Sequence, residues 1–127
     1  MNDEVSNNLV WNRRAVRAIL LTADHQVLLI QSREPQSGRA LWLLPGGGIE
    51  AGESAADGLG RELQEETGLR DFELGPHVWV RQHTFSWDGT TICQHEDYYL
   101  IQAKKFQPTM AANPEQAEID SFSQFRW

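Results

Sequence analysis

The run RRAVRAILLT at residues 13–22 reads as a strand, in which a period of two places Val16, Ala18 and Leu20 on one side. Ala23, Asp24 and His25 read as a turn, and residues 26–32 (QVLLIQS) as the antiparallel partner of the first strand. A polar loop at 33–39 leads to the short apolar run ALWLLP, which stops at Pro45. The glycines that follow, Gly46, Gly47 and Gly48, read as a turn without regular structure, where backbone approaches something closely. From Ser54 the period lengthens to that of a helix. Ala56, Leu59, Leu63 and Thr67 share one stripe, Ser54 and Asp57 form a cap-like start, and Gly68 stands just past the end. Residues 72–82 and 90–104 predict two further strands, joined by a hairpin turn at 86–89. Residues 105–116 read as a loop, and 117–125 as a helix or an irregular segment. Strands, one helix, then strands again imply a mixed sheet with a helix on one or both faces, preceded by a loose arm at 1–9.

Charge changes the picture at the end of the helix. Glu62, Glu65 and Glu66 fall within an arc of roughly 100° beside the apolar stripe. Like charges at i,i+4 cost a few tenths of a kcal/mol, and acids near a helix C-terminus oppose its dipole. Arg61 is the helix's only cation. A cluster that is unfavourable by itself invites a counter-charge from outside, and a divalent metal ion is the obvious one.

Composition narrows the class. The chain has 127 residues, enough for one domain with a single core, and is 40% apolar with five Trp, as a globular protein is. A net charge of −7 argues against a general nucleic-acid binder, which would present a basic face. Cys93 is the single cysteine, so no disulfide framework exists; residues 1–9 lack the layout of a signal peptide, and no apolar run is long enough to span a bilayer. These features favour a cytoplasmic setting.

Residues 47–69 follow the order Gly47, five residues, Glu53, seven residues, then Arg61-Glu62-Leu63-Gln64-Glu65-Glu66-Thr67-Gly68-Leu69. This resembles the signature of the Nudix hydrolases (MutT-like), G-x5-E-x7-R-E-U-x-E-E-x-G-U with U a bulky aliphatic residue, and every specified position is filled. Pro45-Gly46-Gly47 ahead of the box is also in the family's style. The resemblance implies an α/β/α sandwich with a central mixed β-sheet and the Nudix loop–helix–loop, as one domain over 10–127. The family's closing C-terminal helix is expected to be absent or truncated, because the chain stops at Trp127.

The resemblance further implies hydrolysis of a nucleoside diphosphate linked to another moiety, such as a nucleoside triphosphate or nucleotide-sugar, with Mg²⁺ or Mn²⁺. Glu62, Glu65 and Glu66 and the backbone carbonyl of Gly46 would hold the metal, with Glu65 alternatively the base that activates water. Arg61 and Glu53 would form a bracing ion pair. The chemistry needs these residue types, since hard cations with oxygen ligands neutralise a diphosphate and acidify bound water, whereas His and Cys would suit zinc. The family often adds an acid outside the box, for which Glu96 and Glu118 are the candidates. His83 and His95 are candidates to contact phosphate, as are Arg14, Arg17, Arg33, Arg39 and Arg81; Trp79, Phe85, Trp87, Tyr98 and Tyr99 include candidates for a base-stacking platform. Branch-specific signals outside the box are missing: Thr84-Phe85-Ser86 stands where the ADP-ribose branch has a proline, so the substrate stays open. A non-catalytic module that senses a nucleotide or binds a protein is the second reading, against which the complete box speaks. The expected partner is a small nucleotide diphosphate, without membrane or general nucleic-acid binding, and the resemblance admits a homodimer.

Overall fold

The computed structural model of the protein describes residues 10–127; the arm expected at 1–9 lies outside the described residues. Seven strands and two helices follow in the order β1 (Val10–Leu21), β2 (Leu29–Arg33), β3 (Ala40–Leu43), β4 (Gly46–Gly48), α1 (Ala55–Thr67), β5 (His77–Trp87), β6 (Thr90–Gln102), α2 (Gln116–Ser121) and β7 (Phe122–Arg126). One mixed sheet has the order β4-β1-β6-β5, and a three-stranded antiparallel sheet the order β3-β2-β7. Strand β1 is the spine of the first. It runs parallel to β6 along its whole length, Val10 opposite Thr91 and Leu21 opposite Gln102, and antiparallel to β4. The mixed central sheet with α1 packed on it and only a short second helix is the Nudix-type α/β arrangement that the resemblance implies.

Helix α1 forms where its punctuation predicts. The Ser54 hydroxyl accepts from Asp57 N–H, and Gly68 caps the other end in the left-handed conformation, donating to Gln64 O. Leu59 and Leu63 are fully buried against Val16, Ala18 and Leu20 of β1, Leu28, and Ile101 of β6. Burial of each leucine contributes about 2 kcal/mol, several times the cost of a like-charged i,i+4 pair. Packing therefore decides that the acidic helix forms. Ala56, expected on the stripe, is exposed, because the sheet meets only the later turns. Gly58 lacks room for a ligand: a Cβ there would sit 3.3 Å from Glu53 Oε1 and 3.5 Å from Ile49.

Four elements differ from expectation. The segment after the first turn does not pair back along β1; a single bridge joins Leu21 and Val27, and β2 belongs to the other sheet. Apolar alternation identifies a strand but does not choose its neighbour, and β1 is already taken on both edges. The glycine run is a strand after all, since β1 offers β4 a row of backbone partners that needs no side chain. Strand β5 begins five residues later than 72, leaving Phe72 to pack on the core, and the last residues pair with β2 as β7. Among the described residues no helix is long and apolar enough to cross a membrane.

Candidate metal centre

Glu62 and Glu66 of α1 end beneath β4 rather than on an open rim. Glu62 is 5% exposed and Glu66 2%, while Glu65 is half-buried. Helical spacing placed them on one side of the helix, but the depth comes from the strand lying over them. Bare backbone is what allows that approach. A Cβ on Gly47 would come within 2.6–2.8 Å of the Glu62 carboxylate. Gly46 has φ +145°, and a Cβ there would collide with Val16 O at 2.0 Å.

Arg61 organises the acids around it. Its Nε donates to Glu53 Oε2 at 2.8 Å, and its Nη2 to Glu53 Oε1 at 3.1 Å and Gly48 O at 2.9 Å. Nη1 reaches Glu62 Oε2 at 2.9 Å and Glu65 Oε1 at 3.4 Å. Glu53 in turn accepts from Glu50 N–H at 2.8 Å, which closes the loop ahead of the helix. The pairing raises the pKa of Arg61, chiefly through Glu53, against partial desolvation; Arg61 and Glu50 N–H hold that of Glu53 below the usual carboxylate range.

One guanidinium does not balance the cluster. Burial and then Glu62 push Glu66 well above the usual carboxylate range, against the opposing Gly46 N–H (3.0 Å to Oε1) and Arg17. Burial and Glu62 raise Glu65 in the same way. Glu62 Oε1 is buried and finds no partner among the described residues. A buried carboxylate oxygen without a donor is costly, and carboxyls crowded toward their neutral forms are short of positive charge.

Helix α2 completes the group. Oxygens of Glu62, Glu65 and Glu118 all lie within 4.8 Å of one another, and Asn113 Nδ2 holds Glu118 Oε1 at 3.1 Å. Burial raises the Glu118 pKa, Asn113 opposes, and Glu62 adds to the rise. An all-oxygen set, partly buried and electrostatically unmet, fits a hard divalent cation. Of the two acids outside the box, Glu118 stands with the cluster and Glu96 does not. Glu96 lies on the other face of the sheet, 3% exposed, accepting from Tyr98 Oη at 2.7 Å, Gln94 Nε2 at 2.7 Å and Arg17 Nε at 3.2 Å. Burial pushes its pKa up, but Tyr98, Arg17 and Gln94 together bring it below the usual range. No spacing rule tied Glu118 to residues half the chain away, so the sequence offered both acids equally.

The Gly46 carbonyl has a protein partner as well, since Arg17 Nη1 donates to it at 3.2 Å and to Leu44 O at 3.1 Å. The expected phosphate and base contacts divide. Arg17, Arg81, His83, Trp79 and Phe85 lie on the face around Glu96, where Arg17 also reaches Gly46 O of the strand over the cluster and His83 stacks on Phe85 at 4.9 Å. Arg14, His77 and His95 turn to Asp97 on the helix side of the sheet. A hollow of about 470 Å³ between Leu21 and Lys104 contains none of the clustered acids. Charge, rather than concavity, locates this site.

Residues 11–127 match the family model described as the NUDIX domain. The chain is 30% identical over 125 residues to an RNA pyrophosphohydrolase of Sodalis glossinidius (strain morsitans), covering 91% of this chain and 68% of the relative. Its identity to an RNA pyrophosphohydrolase of Shewanella oneidensis is 33% over 104 residues, covering 71% of this chain and 56% of the relative. The chain thus spans between about half and two thirds of these relatives. Among solved structures, the MutT NUDIX hydrolase from Burkholderia pseudomallei superposes with a TM-score of 0.65 at 27% identity, over 91% of this chain and 81% of that one.

Proposed function

The chain belongs to the Nudix hydrolase family, and from that premise we propose that it is a pyrophosphohydrolase cleaving the diphosphate linkage of a nucleoside diphosphate joined to another moiety, with Mg²⁺ or Mn²⁺ as cofactor. The observation that carries this reading is the grouping of Glu62, Glu65 and Glu118, one oxygen of each within 4.8 Å of the others, beside a buried Glu62 Oε1 that has no partner among the described residues. A bound divalent cation would neutralise the diphosphate and acidify the attacking water.

The protein's own groups divide the remaining work. Glu62 and Glu118 would hold the cation from two helices. Glu65, the most open of the three glutamates of α1, accepts the proton of the attacking water, and burial and Glu62, by raising its pKa, make it a stronger base than an ordinary carboxylate. Arg61, tied to Glu53, donates to Glu62 and Glu65 and orients them. Glu66 is fixed by Gly46 N–H and anchors β4 over the site. A cytoplasmic setting belongs to this reading, supported by the single cysteine.

A substrate panel tests it: nucleoside triphosphates, nucleotide-sugars, ADP-ribose, dinucleoside polyphosphates and, since relatives carry that name, RNA with a 5′-triphosphate. Release of a nucleoside monophosphate, or of pyrophosphate from RNA, should require Mg²⁺ or Mn²⁺ and stop with EDTA. Glu65→Gln and Glu62→Gln should each lower kcat on the order of a hundredfold or more with the fold retained. Unchanged turnover in both variants would remove the mechanism.

A further inference from the structure

We propose that Arg13 binds a phosphate of the substrate, forming an oxyanion subsite on the face of β4 opposite the carboxylate cluster; the inference rests on the diphosphatase reading above. Strand β4 is the edge of its sheet, and its bare residues carry opposite charges on their two faces. The Glu62 carboxylate lies where a side chain of Gly47 would begin, at 2.6–2.8 Å, and the Arg13 guanidinium where that of Gly48 would begin, at 2.9 Å. Consecutive residues of a strand point to opposite faces and stand about 3.8 Å apart. Cation and carboxylate are therefore separated only by the thickness of an edge strand, around which a phosphate chain can pass.

Arg13 is held in place without being neutralised. Its Nη1 donates to Gln94 Oε1 at 2.7 Å, and the Gln94 side chain, 1% exposed, is fixed by donating from Nε2 to Glu96. The Trp11 ring faces the guanidinium at 5.8 Å. The other arginines of the mixed sheet each meet a carboxylate: Arg14 with Asp97, and Arg17 and Arg81 with Glu96. Arg13 has none within ion-pair reach among the described residues, while Arg17 repels it. Burial and then Arg17 lower its pKa, and Glu62, Glu118 and Glu66 pull the other way, which places it within the field of the cluster. A partly buried guanidinium with spare donors, no carboxylate and a metal-type acidic cluster around the strand edge is matched by an anion that spans both. A phosphate takes two parallel N–H bonds from such a fork.

Isothermal titration with inorganic tripolyphosphate in Mg²⁺, on the whole chain, tests this. Arg13→Gln, which removes the charge, should weaken binding on the order of tenfold to a hundredfold, with Arg13→Lys between it and the wild type. Mn²⁺ affinity of Arg13→Gln should not weaken, because a nearby cation has been removed. Lys104→Gln, which removes an exposed charge beyond the far end of β6, should bind tripolyphosphate within about twofold of wild type. Wild-type affinity in Arg13→Gln, or an equal loss in Lys104→Gln, would overturn the inference while leaving the hydrolase reading standing. Failure of the wild type both to bind tripolyphosphate and to turn over any member of the panel would overturn both.

Discussion

At Glu66 burial and a like charge one turn away on Glu62 meet a single N–H from Gly46 and the charge of Arg17. The first two outweigh the others, so the folded protein binds a proton there more tightly than the unfolded chain does. Glu65 and Glu118 are shifted in the same direction. Groups whose carboxyl pKa is raised on folding lose stability as pH rises through the raised range, and regain it as pH falls. Without metal, the protein should therefore melt at a higher temperature at mildly acidic pH than at neutral pH. Glu66→Gln, which keeps an acceptor for Gly46 N–H, should raise the metal-free Tm at neutral pH on the order of a few degrees and flatten this dependence. A lower Tm in that variant, measured by calorimetry in EDTA, would show that the carboxylate is not under strain. The sequence displayed the three acids on one arc but not their depth, since helical spacing fixes an angle and the covering strand fixes burial. Arg13 escaped notice for a related reason: its setting depends on Gly48 and Gln94, which come from strands on either side of it.

Among elements, β4 was the hardest to foresee. Glycine has low strand propensity, yet β1 supplies backbone partners, and the same lack of side chains lets α1 come up from below. Helix α1 was legible to the residue because its cap, stripe and terminal glycine agree. The division into two sheets was not, because β1 and the segment of β2 are both apolar runs and nothing local excludes their pairing. A latch visible only in the structure links the loop after β2 to the turn after β5. Glu34, 7% exposed, accepts from Asp88 N–H at 2.8 Å and Ser37 N–H at 2.8 Å, with Gln36 N–H at 3.2 Å. These bonds, Asp88 first, lower its pKa to about 2. A depressed carboxyl stabilises the fold above its unfolded pKa, near 4.5, and that contribution is lost as pH falls toward 2. Glu34→Ala should speed amide exchange at Asp88, Ser37 and Gln36 at pH 7, and the difference from wild type should shrink below about pH 3. Equal exchange at pH 7 would mean that the turn is held by its strands alone.

Over the whole molecule, a chain of net charge −7 gathers unbalanced acids from α1 and α2 at one edge of its mixed sheet, with Arg13 and Arg17 at the same edge on the other face. A cation at the acids and an anion reaching Arg13 would complete this arrangement, which is the proposed pairing of a divalent metal with a phosphate chain. Reaction class was readable in the box because its residues lie close in sequence. The supporting residues Glu118, Arg17 and Arg13 come from α2 and β1, and only the fold brings them to the box. The most direct measurement of the central claim is Mn²⁺ titration of the protein followed by electron paramagnetic resonance, with wild type beside Glu62→Gln and Glu118→Gln. Wild type should bind Mn²⁺, and each variant should lose affinity by about tenfold or more, as removal of a charged ligand requires. Equal Mn²⁺ binding in all three proteins would contradict a metal centre at this cluster.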